Sequence, residues 1–70
     1  MKKIISTLCN DGVTPFCVTV HTVQVKWGGI YVWIAKIGNH VLTPEMIKEE
    51  HAMELAEKRI MRERDNVFIL

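Results

Sequence analysis

The sequence predicts an α+β fold: a small antiparallel sheet of about three strands, with one C-terminal helix packed on one face. Two β-rich runs separated by Gly28-Gly29 predict a central hairpin over residues 16–37. A charged, periodic segment over about 44–64 predicts the helix. The chain has 70 residues, so we expect a single domain spanning 1–70.

The first strand is predicted from Lys2 to Cys9. The turn-forming residues Asn10-Asp11-Gly12 follow it and end the strand. Pro15 cannot donate a hydrogen bond to a neighbouring strand, so it marks a strand start or a sheet edge. The apolar run of this strand is interrupted at Ser6-Thr7.

The two-residue loop fixes the register of the hairpin. If Trp27 faces Ile30, alternation places six apolar residues on one face, which we expect to be the sheet's share of the core: Val23, Val25, Trp27, Ile30, Val32 and Ile34. The opposite face is mixed, and it pairs Lys26 with Tyr31, Gln24 with Trp33 and Thr22 with Ala35.

The apolar phase inverts within the second strand. Phe16, Val18 and Val20 are the apolar set near its start, one position out of phase with the apolar set near its end. Such an inversion is typical of a β-bulge or sharp coil, which we expect near His21-Thr22.

The helix has clear terminal signals. Thr43 is a good N-cap and Pro44 suits the first helical position. Acidic residues crowd the first turns and basic residues the last, as the helix dipole favours. The stripe Ala52, Ala56 and Ile60 is expected to meet the sheet. The apolar tail Val67-Phe68-Ile69-Leu70 is expected to dock as a short strand or to insert into a partner.

The composition favours an interaction surface. Hydrophobic residues make up 49% of the chain, and a small domain has little interior in which to bury them. An apolar surface left over after folding usually marks an interface, so we expect a homodimer. The net charge of +1 argues neither for nor against nucleic acid.

No metal or cofactor is expected. Cys9, Cys17, His21 and His40 are suitable ligand types, but Cys17 and His21 would lie roughly 13 Å apart on a strand, unlike the ligand pairs of zinc sites. Two cysteines are too few for a disulfide framework. No run approaches the ~20 apolar residues of a membrane span, and the expected location is the cytoplasm.

An enzyme is not expected either. Cys17 with His21 or His40 is the only nucleophile–base pairing that the sequence offers. Gly28-Gly29 is a hairpin tip, and the glycine spacings of phosphate-binding loops are absent.

Two resemblances bear on function. The run Val18 to Lys26 with its glycine turn, strand and helix superficially resembles the small RNA-binding regulators of the CsrA family. The arginines of that family's first strand and helix approach are missing here, so none of its functional residues carry over. A short chain with an aromatic hairpin, a charged helix and an apolar tail also resembles small phage and prophage proteins that bind host factors.

The favoured hypothesis is a protein-interaction module, of the phage or prophage type that modulates a host protein. Its expected binding residues are Gln24, Lys26, Tyr31, Trp33, Phe68 and Leu70, because aromatic residues dominate binding hot spots. The alternative is an RNA- or single-stranded-DNA-binding module, in which aromatic residues on a sheet face stack on bases. A structural subunit of a larger assembly is a third hypothesis.

Overall fold

The computed structural model describes residues 1–68, with the backbone alone for Asp65 and Phe68. It confirms the α+β class: a four-stranded antiparallel sheet and one C-terminal helix. The elements in chain order are β1 (Lys2–Leu8), β2 (Pro15–Trp27), β3 (Ile30–Ile37), β4 (His40–Val41), α1 (Glu49–Glu63) and a 3₁₀ helix (Arg64–Phe68).

The strands lie in the order β1-β2-β3-β4, and the predicted hairpin register is confirmed. Trp27 pairs with Ile30 and Val25 with Val32. Gly28 and Gly29 have φ values of +59° and +86°, the combination that a type I′ turn requires and that glycine adopts without strain.

The bulge expected near His21-Thr22 is absent, and that prediction is wrong. His21 pairs with Lys2 on one side and Lys36 on the other, and the registers of both ladders run unbroken through this point. The apolar phase inverts because the two halves of β2 turn apolar side chains to opposite faces of one regular sheet.

The helix covers the face that carries Val20 and Ala35, not the face predicted to form the core. Both residues are fully buried, as are Ala52, Ala56 and Ile60 of α1. The three helical residues therefore do meet the sheet, but against a different strand surface. The remaining buried members of this core are Ile5, Leu42, Met53 and Val67, with Phe16, Val18, Trp33, Ile37 and Met46 packed against it.

Of the six residues expected in the core, only Val32 is buried, at 2% exposure. Val23, Val25 and Ile34 are half-buried, and Trp27 and Ile30 are exposed. The six residues do share one face of the hairpin, as predicted. The other face, however, also carries apolar residues. The position of the helix decides which face becomes the core, and alternation within the strands does not determine that position.

The helix begins at Glu49, five residues after the expected start at Pro44, because the preceding segment completes the edge of β3. Thr43 is buried and its Oγ1 accepts a 3.0 Å hydrogen bond from the Ala35 N–H. Met46 and Trp33 exchange two backbone hydrogen bonds of 2.7 and 2.8 Å. Backbone groups at a sheet edge need partners, and these residues supply them.

The start of α1 is tied to β2. Thr22 Oγ1 donates a 2.7 Å hydrogen bond to Glu49 Oε2, and the Met1 ammonium lies 3.1 Å from the same oxygen. The hydrogen bond from Thr22, followed by that from the ammonium, holds the pKa of the Glu49 carboxyl below its ordinary value. Lys48, at the N-cap position, makes no side-chain capping bond, so the Glu49 contacts anchor the first turn to the sheet without capping it.

The helix ends at Arg64, whose φ is +52°. The chain then turns through the 3₁₀ helix, which includes Val67 and Phe68 of the predicted tail. Val67 is fully buried, and His40 Nε2 lies 2.8 Å from its carbonyl oxygen, within hydrogen-bond distance. Ile69 and Leu70, the last two residues of the predicted tail strand, lie outside the described residues.

The molecule is elongated, with extents of 45 × 22 × 17 Å. The 13 residues of β2 account for the long axis, at about 3.3 Å per residue. β1 pairs with β2 only from Pro15 to His21. Residues 23–34 therefore extend past β1 as a hairpin, here called the hairpin arm, which is bridged to Met46 only at Trp33.

Candidate interaction surface

The side of the sheet away from α1, here called the open face, carries two groups of exposed apolar side chains, one at each end. Alternation along the paired strands places Ile4 and Leu8 of β1 on this side with Trp27 of β2 and Ile30 of β3. All four residues are exposed, at 67%, 43%, 60% and 49% respectively. Val41, which pairs with Lys36 and shares its face, is 47% exposed.

The extent of this surface is large for a chain of this size. Applied to side chains of about 150–250 Å² each, the exposed fractions amount to on the order of 500 Å² of apolar area. This area is divided between the two ends of the face, and exposed apolar area on a sheet face often marks an interface. The open face therefore stands out as a candidate binding surface.

A row of basic side chains crosses the open face. Lys2 pairs with His21 and His21 pairs with Lys36, so the three lie side by side on neighbouring strands. The four strands contain no Asp or Glu, so this row has no acidic partner within the sheet. It separates the apolar side chains of the hairpin arm from Ile4 and Leu8.

The arm is exposed on its other side as well. Tyr31 is 62% exposed, and Lys26, which pairs with it, is exposed too. Gln24 is exposed in the next pair along the arm. Three of the predicted binding residues therefore lie together on the helix side of the arm, accessible to a partner.

The other three predicted binding residues are placed differently. Trp33 is half-buried, packs against the core and is bridged to Met46. Phe68 follows Val67, which contacts His40 at the end of β3 opposite the hairpin turn, so the backbone of Phe68 lies roughly 20 Å from the arm. Leu70 is outside the described residues.

Sequence reasoning missed Trp27 and Ile30 as surface residues, because it assigned both to the core. The signal that could have found them is the inversion of the apolar phase in β2. In an unbroken strand, such an inversion means that two different faces are apolar. One helix can cover only one of them.

The rest of the described chain offers few groups that could form a catalytic or metal-binding site. No group of three or more His, Cys, Asp or Glu residues with metal-binding geometry occurs among the described residues, and they enclose no pocket. Cys9 and Cys17 are both thiols, the first half-buried and the second exposed. Among the described helices, none has the length and apolar character to cross a membrane.

The Asp11 turn carries the largest resolved pKa shift. The Asp11 carboxylate accepts hydrogen bonds from the Thr14 hydroxyl at 2.6 Å, the Thr14 N–H at 2.9 Å and the Val13 N–H at 2.8 Å. These bonds, the hydroxyl first, lower the pKa of Asp11 to about 2. The arrangement stabilises the β1–β2 connection.

Comparisons with protein-family models, with curated proteins and with solved structures find no significant match for this chain.

Proposed function

We propose that the protein is a non-enzymatic protein-interaction module that binds through the open face of its sheet. The observation that carries the proposal is the apolar surface around Trp27 and Ile30, which α1 leaves uncovered. Aromatic side chains such as Trp27 are the usual anchors of protein interfaces, and apolar neighbours around them exclude water. A host protein bound by a small phage- or prophage-type modulator is the proposed class of partner.

A protein partner fits this face better than a nucleic acid does. The side chains on the open face of the arm are uncharged and mostly aliphatic, whereas tracking a phosphate backbone requires several cations. The basic row at Lys2, His21 and Lys36 lies at one edge of that apolar area. A polar rim around an apolar centre is typical of protein interfaces.

The positions of the reactive side chains support a non-enzymatic role. Cys17 and His21 both lie on the open face, but they are four residues apart along β2, about 13 Å. A base must come within about 3 Å of the nucleophile that it activates. The pair therefore lacks the geometry of a nucleophilic site.

The proposal can be tested with a pair of matched double variants. Trp27→Ser with Ile30→Ser removes the apolar centre of the open face, and Lys26→Ser with Tyr31→Ser alters the same part of the arm on the other side. Immobilised wild-type protein and each variant are compared for bound proteins, and self-association is measured by light scattering. We expect the open-face pair to lose binding and the control pair to retain it.

Unchanged binding and self-association in the open-face pair, with the fold intact by circular dichroism, would overturn the proposal. Loss of both in the control pair alone would instead assign the interaction to the helix side of the arm, where Gln24, Lys26 and Tyr31 were predicted to bind.

A nucleic-acid-binding module remains the second proposal, because Lys26 and Tyr31 are exposed together at the tip of the arm. The half-burial of Trp33 weakens it, since a stacking platform needs an exposed ring. Fluorescence anisotropy of a labelled single-stranded oligonucleotide tests it. Salt-sensitive binding that is lost in Lys26→Ala and Tyr31→Ala would favour nucleic acid over a protein partner.

A further inference from the structure

We infer that the occupant of the arm's open face is a second copy of this chain, packed arm against arm about a two-fold axis that passes over the Val25–Val32 pair. The inference rests on the proposed function and makes a second copy, not a host protein, the partner at Trp27 and Ile30, which leaves the part of the open face around Ile4 and Leu8 for a host protein. It is carried by three observations: the area of the arm, the position of the basic row and the relief of the six apolar side chains.

The area of the arm suits a weak dimer. Trp27 and Ile30 are 60% and 49% exposed, and the half-buried residues Val23, Val25 and Ile34 add to them. Together with the polar rim, stacking two arms would bury on the order of 500 Å² on each chain, or about 1,000 Å² in total. This is the lower limit for a specific interface, so we expect association that depends on concentration in the micromolar range.

The repulsion between the two basic rows favours one register of the two arms. The strands contain no acidic residue, so two open faces bring only like charges together. If the faces overlapped fully, with the axis over His21, the two rows would lie about 10 Å apart across the interface. With the axis over Val25, four residues further along β2, the rows are separated by about 26 Å, which is well beyond the Debye length of about 8 Å.

The relief of the arm is self-complementary in this register. The axis maps the Trp27–Ile30 pair of one copy onto the Val23–Ile34 pair of the other. The first pair projects into solvent, and the second is recessed and half-buried. The projecting Trp27–Ile30 pair of each copy therefore packs on the recessed Val23–Ile34 pair of the other. Trp27 also reaches the basic row of the second copy, where lysine and aromatic groups attract.

Cross-linking tests the inference directly. In a Cys9→Ser, Cys17→Ser background, single cysteines are placed at three positions: Val25→Cys on the axis, Lys26→Cys on the other side of the same strand, and Ile4→Cys at the far end of the open face. Each variant is treated with a short bis-maleimide at protein concentrations above and below the measured dissociation constant. We expect efficient concentration-dependent dimer formation for Val25→Cys, and for neither of the other two.

A second readout covers the case in which Val25→Cys perturbs folding. Ile30→Asp changes an exposed residue of the interface, and we expect it to raise the dissociation constant at least about tenfold, which corresponds to 1.4 kcal/mol. The matched change Tyr31→Asp, on the other face of the arm, is expected to leave it unchanged.

Three results would overturn the inference. A monomer at every concentration would exclude the second copy, while capture of another protein by the open face would leave the proposed function standing. Cross-linking through Ile4→Cys as efficient as that through Val25→Cys would exclude the arm register. A dimer unaffected by Ile30→Asp would exclude the open face as the dimer interface, and the proposed function would then rest on the capture experiment alone.

Discussion

Trp27 and Ile30 pair across the Gly28-Gly29 turn and project together from the open face, with 60% and 49% of their surfaces exposed. On the helix side of the sheet, Val20 and Ala35 have no exposed surface. The chain thus buries one apolar sheet face under α1 and leaves a second one uncovered. The two faces should respond differently to mutation.

Ile60→Ala and Ile30→Ala contrast the two faces. Ile60 is fully buried, so its truncation should lower the free energy of unfolding by about 2–5 kcal/mol at any protein concentration. Ile30→Ala should cost under about 1 kcal/mol at low concentration, and more at high concentration if the open face is buried in a dimer. Chemical denaturation at two concentrations measures both. An equal cost for both variants would contradict the assignment of faces.

Thr43→Val tests the edge of β3. The Thr43 hydroxyl accepts a hydrogen bond from the Ala35 N–H, and the side chain is buried. Valine keeps the shape but leaves that N–H without its partner, so the free energy of unfolding should fall by about 1–3 kcal/mol. Thr43→Ser keeps the hydroxyl and is the control. If the site were instead an exposed helix N-cap, the valine variant would shorten the helix, which circular dichroism would detect.

The acid response of the turn after β1 should depend on Asp11. Its folded pKa is about 2, against an ordinary 3.8. A depressed carboxyl pKa stabilises the fold fully above the unfolded value, and this contribution is lost as the pH falls from about 4 through 2. In Asp11→Asn, stability should change less over that window. Nuclear magnetic resonance titration should place the Asp11 midpoint near 2 in the wild type and closer to 3.8 in Thr14→Val; identical midpoints would contradict the hydrogen-bonding account.

The thiol of Cys17 reports on how far the interface extends. Cys17 is exposed on β2, eight residues from Val25, or roughly 26 Å along the strand. We therefore expect its rate of reaction with a maleimide to be independent of protein concentration, and faster than that of the half-buried Cys9. A Cys17 rate that falls as the protein associates would show that the whole open face is covered.

The hairpin register was predictable from the sequence. The face of the sheet on which α1 packs was not. The glycine pair and the alternation of Val25 and Val32 were sufficient for the hairpin register. The side on which α1 packs depends on the path of residues 38–48, and no alternation pattern specifies that path. Trp27 was consequently placed in the core when it belongs to the surface.

The helix start shows the same limit. Thr43-Pro44 is a strong local signal for a helix N-terminus. The Ala35 N–H and the Trp33 backbone required partners at the edge of β3, however, and this tertiary demand prevailed over the local preference. The exposed residues Gln24, Lys26 and Tyr31 could be found from the hairpin alone, whereas the open face required knowledge of where the helix lies.

The most direct test of the account is the solution mass of the wild type, of Trp27→Ser with Ile30→Ser, and of Lys26→Ser with Tyr31→Ser. Light scattering is recorded over a range of protein concentrations from about 1 to several hundred micromolar, which brackets a weak interface. The account predicts a rise from monomer to dimer for the wild type and the Lys26/Tyr31 variant, and a monomer throughout for the Trp27/Ile30 variant. The same dimer in all three proteins would contradict it.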